Sequence, residues 1–172
     1  MGGFFDKVFD DGRKPLSAAA PVKHLQVQPI PADAPQPWLP LRALTLRYVQ
    51  LPKQARVGEA AGAELEVVAD GASASQLPSL TFADSAQAQL FADPPQFDEQ
   101  VIEGRPRTVL RRRIAIVPLK AGVLALPGPR IDWWDAVHGV ARTAKLPPLE
   151  VQVAPGASVP GLAAVSPGIE PA

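Results

Sequence analysis

The stretch RTVLRRRIAIVP, from Arg107 to Pro118, decides between helix and strand for this chain. It closes on the apolar run Ile114-Ala115-Ile116-Val117 and carries no apolar stripe at i, i+3, i+4, i+7. Read with period two, it is the longest strand candidate, and its apolar end places it centrally in a sheet. Alternation carried back from Ile114 puts Arg112 on the core face. A lone buried charge costs several kcal/mol. Arg112 is therefore expected either at the rim, its stem lying along apolar surface, or beyond a bulge in the strand.

The same period appears on both sides of this stretch. Leu44, Leu46 and Tyr48 alternate with Thr45 and Arg47; Leu65, Val67 and Ala69 alternate with Glu64, Glu66 and Val68. Ala88 and Leu90 alternate with Gln87 and Gln89, Leu124 and Leu126 follow a turn at Gly122, and Leu149, Val151 and Val153 alternate with Glu150 and Gln152. Runs of this kind, bounded by Pro, Gly or Asp, are half-buried antiparallel strands. With 21 Pro and 13 Gly, and about 3 kcal/mol for each interior helical Pro, long helices are confined to a few windows. The widest, Lys53 to Leu77, contains Gly58, Gly62 and Gly71. About seven short strands result, and the fold class is all-β: an antiparallel β-sandwich of immunoglobulin or fibronectin type.

The 172 residues fit one domain with extensions. Seventeen Lys+Arg balance seventeen Asp+Glu, which argues against a nucleic-acid or polybasic membrane binder. The absence of Cys excludes disulfides and thiolate-bound zinc. No apolar run reaches the length of a membrane span. The start, with Phe4, Asp6 and Asp10, lacks the basic and apolar regions of a signal peptide.

Two stretches repeat. Phe4-Phe5-Asp6, Asp11-Gly12 and Leu25-Gln26-Val27-Gln28 correspond to Trp133-Trp134-Asp135, His138-Gly139 and Leu149-Glu150-Val151-Gln152. Each reads as an aromatic pair with Asp, a turn, and a final strand that runs into Pro. Residues 1–28 are accordingly expected to be the last hairpin of an upstream sister domain, poorly packed by itself. Residues 29–41, with five prolines between Pro29 and Pro40, form a stiff connector. Residues 42–153 form the complete sandwich, and 154–172 a Pro/Gly/Ala-rich linker.

Chemistry is sparse. His24 is expected on the outer face of its strand and His138 in a turn; they lie in different units, without Cys or metal-ligand spacing. No catalytic, cofactor or metal residues are assigned. Asp98-Glu99 near Glu103 reads as a solvated hairpin loop after Pro94-Pro95. Arg111-Arg112-Arg113 is the densest charge run; Arg111 and Arg113 either touch an anion or partner or keep a sheet soluble and blunt edge pairing. Trp133 and Trp134 are adjacent, so they face opposite sides of a strand. One should fill the core and the other stand partly exposed, over a joint or as a partner anchor. Trp38 is expected to pack the connector onto the domain.

Several short motifs in order and spacing resemble BatD, the oxygen tolerance (aerotolerance) family of bacteria. They are Gln28-Pro29-Ile30-Pro31-Ala32 before Trp38-Leu39-Pro40, Ala55-Arg56-Val57-Gly58-Glu59, and Gln76-Leu77-Pro78. Ile116-Val117-Pro118, Ala121-Gly122, Leu126-Pro127 and Ile131-Asp132-Trp133-Trp134-Asp135 follow. Phe4-Phe5-Asp6 to Asp11-Gly12-Arg13 resembles the end of that family's preceding domain, so the resemblance covers about residues 4–155. It implies immunoglobulin-like domains at the periplasmic face of the cytoplasmic membrane, held by a span this sequence lacks. It further implies protein contacts with von Willebrand-type membrane proteins, in a system with a MoxR-like ATPase, and no catalytic residues. The expected function is therefore non-enzymatic protein interaction in envelope stress tolerance, without cofactor or nucleic acid. The alternative is a fibronectin-like accessory module that stacks carbohydrate, or another cell-surface ligand, on Trp133 or Trp134. A hydrolase would need a polar pocket, which no residue constellation here supplies.

Overall fold

The computed structural model describes residues 17–157. In chain order the strands are β1 (Pro40–Leu41), β2 (Ala43–Gln50), β3 (Gln54–Arg56), β4 (Ala61–Asp70), β5 (Ala88–Ala92) and β6 (Gln96–Ile102). They continue with β7 (Arg105–Pro118), β8 (Gly122–Leu126), β9 (Arg130–Asp135), β10 (Val140–Lys145) and β11 (Leu149–Ala154). The helical content of the described residues is one 3-10 turn, Ala74–Gln76. No helix among them is long and apolar enough to cross a membrane.

The strands form a sandwich. The large sheet runs β2-β4-β7-β5, and β6 pairs β7 on the same side as β5. Two three-stranded sheets, β1-β9-β10 and β3-β11-β8, complete the fold; the β1–β9 and β3–β11 pairs are parallel and every other pairing is antiparallel. β7 is the centre, as its length and apolar end required. Its pairing with β4 runs without interruption from Ala61↔Ile116 to Asp70↔Arg107. Arg112 consequently keeps the core-facing parity and goes to the rim. Its guanidinium donates to Asp93 O at 2.9 Å, Ser79 Oγ at 2.9 Å and Leu80 O at 3.2 Å.

Alternation sets what is buried. Leu65, Val67 and Ala69 of β4, Ile114 and Ile116 of β7, Leu124 and Leu126 of β8, and Leu149, Val151 and Val153 of β11 share one core. Each fully buried aliphatic side chain contributes about 1.5–3 kcal/mol of transfer free energy. Gly122, at φ +117, turns the chain into β8, a conformation that favours glycine.

Four expectations change. The core begins inside the segment read as connector, because Leu39 and Leu41 are buried and β1 pairs with β9; a Pro opening a short edge strand removes no needed ladder bond. Asp98 and Glu99 lie in β6, not in a loop. Pro94-Pro95 only interrupts the pairing of this segment with β7, and the turn comes later, at Glu103-Gly104. Leu25–Gln28, including the strand expected to carry His24, forms no strand, and Leu25 and Val27 are exposed. Four further strands, β1, β3, β6 and β10, lack a clean hydrophobic alternation. The Phe4–Gly12 half of the repeat and most of the 154–172 linker lie outside the described residues.

Candidate functional site

The outer face of the large sheet carries the arginines. Register places Glu66 of β4 directly between Arg47 of β2 and Arg111 of β7. Nε of Arg47 donates to Glu66 Oε1 at 2.6 Å, and Nε of Arg111 to Oε2 at 2.6 Å. The two arginines stay about half exposed and cover the carboxylate, whose side chain is 3% exposed. Burial alone would raise the Glu66 pKa, but the hydrogen bonds from Arg111 and Arg47 and their positive charges hold it below the usual carboxylate range. One row on, Arg113 Nε meets Glu64 Oε2 at 3.3 Å across the same strand pair.

Arg111 and Arg113 thus stand on the solvent face, each committed through Nε to a β4 glutamate. Charges segregated along the chain are interleaved in space: no Lys or Arg occurs between Val57 and Gly104, and the acidic β4 of that block lies between β2 and β7. Replacing Glu66 by Ala is expected to cost about 2 kcal/mol, in the range of charge-assisted hydrogen bonds. Glu64→Ala, whose arginine partner is mostly exposed, should cost under about 1 kcal/mol. Urea unfolding of the two variants measures the difference.

The tryptophans face opposite sides of β9, as adjacency requires, yet both are buried. Trp133 enters the core, while Trp134 lies beneath Trp38, with ring centroids 6.0 Å apart and planes tilted by 42°. The expectation of one exposed Trp is corrected: Trp38, two residues before β1, covers the outer face, so neither ring offers a stacking platform for carbohydrate. Trp38 holds the connector on the domain.

Asp135, which follows the two tryptophans in the chain, is a site residue that the sequence motifs leave without a role. Its side chain, 4% exposed, organises the turn between β9 and β10. Oδ1 accepts from the backbone N–H groups of Val137 and His138, both at 3.0 Å, while Oδ2 meets His138 Nδ1 at 2.7 Å and Arg142 Nε at 2.6 Å. Burial by itself would raise its pKa. The backbone and ring of His138, the Arg142 guanidinium and the Val137 N–H outweigh it and hold the carboxyl far below the ordinary range. The available signal was an Asp three residues before His138 and four before Gly139, which adopts φ +67. That spacing suits a side-chain-capped turn.

Concave space is shallow. A groove of about 670 Å³ joins Gln50, Gln54 and Gln152, with Arg56 and Glu59 as its ionisable groups. It has polar reach but pairs no nucleophile with a base. Among the described residues no three His, Asp or Glu converge as metal ligands. Among the described residues β6 pairs only with β7, and all seven of its residues are exposed. No protein-family model, curated protein or solved structure matches the chain.

Proposed function

We propose that this chain is a non-enzymatic, BatD-like immunoglobulin-type module acting by protein contact at the periplasmic face of the bacterial envelope. Its setting is oxygen and stress tolerance, its partners are von Willebrand-type membrane proteins, and a MoxR-like ATPase belongs to the same system. The observation that carries the reading is the border of β6 away from β7, unpaired among the described residues, which leaves Phe97, Val101 and Ile102 exposed. Unpaired strand edges with apolar side chains are sites where another chain adds on.

The motifs behind the resemblance support it by where they fall. Trp38-Leu39-Pro40 and Ile131 to Asp135 meet in one unit, β1 against β9, with Trp38 over Trp134. Co-purification tests the proposal. The full chain, immobilised and mixed with detergent-solubilised bacterial membranes containing a von Willebrand-type protein, should retain that protein in near-stoichiometric amount. Its passage unretained, at low and moderate salt, would overturn the proposal.

A further inference from the structure

We infer that β6 is the docking edge for an extended segment of a partner protein, apolar and basic by turns, which adds a strand to the large sheet. This rests on the protein-contact reading and locates it. The β6–β7 hairpin closes on the two-residue turn Glu103-Gly104, both at positive φ (50° and 76°), with Ile102 opposite Arg105. In such a turn the closing pair exchanges its backbone hydrogen bonds. Alternation from Ile102 then aims the backbone N–H and C=O groups of Val101, Glu99 and Phe97 away from β7, toward the open border.

The side chains of the same three residues share one face of β6. Val101 is 77% exposed and Phe97 44%. Beside Phe97 lies a cavity of about 280 Å³, of a size for one anchoring side chain. Leu77, Pro78, Leu80, Pro95 and Leu110 give it an apolar wall, and Ser79 with Arg112, whose guanidinium is held by Ser79 Oγ, Leu80 O and Asp93 O, forms its polar side. Glu99 sits between the two apolar residues and already accepts from the Ala74 N–H. The segment that supplies this border, Phe82 to Gly104, carries Asp84, Asp93, Asp98, Glu99 and Glu103 and no Lys or Arg, and the one cation reaching its rim, Arg112 of β7, is held at Asp93 O.

A complementary strand therefore presents, on the face toward the cavity, an apolar residue, then Lys or Arg, then a second apolar residue, at alternate positions. Phe97 and Val101 meet the apolar pair and Glu99 the cation, as cross-strand neighbours do. Pairing through the backbone supplies affinity and the cavity supplies selectivity.

A display library of random twelve-residue peptides, selected against the full chain, tests this. The expected result is enrichment of a Lys or Arg flanked two residues away on each side by apolar residues. Val101→Pro removes an outward N–H without touching the β6–β7 ladder and should weaken a selected peptide at least tenfold. Val101→Lys, a change at an exposed position that places like charge on the edge, should do the same with the melting temperature unchanged. Lys145→Glu, on β10, should leave binding as it was. Failure to enrich such peptides, or equal binding by wild type and Val101→Lys, overturns the inference. A von Willebrand-type protein retained equally by wild type and Val101→Lys would uphold the contact function while removing β6 as its seat.

Discussion

Asp135→Ala is expected to lower the melting temperature by several degrees, because two backbone N–H groups at the β9–β10 turn lose their acceptor. The loss exceeds one contact because a single carboxylate satisfies two backbone N–H groups, a histidine ring and a guanidinium. Without it, the β9–β10 turn loses its internal frame, and Trp133 and Trp134 precede it directly in the strand. Asp135→Asn keeps the shape and separates charge from packing. The folded state holds this carboxyl below its unfolded value, near 3.9 for a free Asp. The native protein therefore binds fewer protons than the unfolded chain in that range. Its contribution is complete above about pH 5 and disappears as pH falls through the lower folded value. Glu66, also held low, acts in the same direction. Urea unfolding at pH 7 and pH 3 should show a steep loss for wild type and a shallower one for Asp135→Asn; equal slopes would contradict the assignment.

Gly128→Ala is expected to cost about 3 kcal/mol, at the upper end for overpacking. The residue requires no unusual φ; space is the constraint. A Cβ there would run into Leu146 O and lie 2.5 Å from Pro147 O. Those obstacles are backbone, and Leu146 N is tied to Pro129 O at 3.0 Å. Prolines at 127 and 129 stiffen the segment from both sides. Gly62→Ala makes the contrast, since nothing lies within 4 Å of its Cβ; it should change stability by under about 1 kcal/mol. Thermal melts of the pair give the test, with equal melting temperatures the contrary result.

Period two was enough to find the core. Leu65 and Val151 alternate with polar neighbours, Ile114 and Ile116 keep the same spacing of two inside an apolar run, and burial on one face is what that period encodes. β6 and β10 escaped because neither buries a full face: every residue of β6 is exposed, and β10 reads Val-Ala-Arg-Thr-Ala-Lys without alternation. The site was less legible. Arg111 and Arg113 were visible as a run, but their engagement with Glu66 and Glu64 depends on register between distant strands. Trp134 was correctly turned away from Trp133, yet its cover comes from Trp38, which pairing with β9 brings across. Asp135 shows no role in the sequence, because two of its partners are backbone N–H groups and Arg142 reaches it only once β9 and β10 pair.

The central position of β7 has a consequence for synthesis. β4 leaves the ribosome complete, but its partners on β7 follow only after roughly fifty further residues, a delay of several seconds at about 5–20 residues per second. Throughout that interval an acidic, aliphatic nascent segment has one of its two neighbours missing. Such long-range pairing also slows folding itself. Wherever the chain folds, the β4 edge stays open until β7 is in place, and a holding chaperone that covers it over that interval should raise the yield of folded protein.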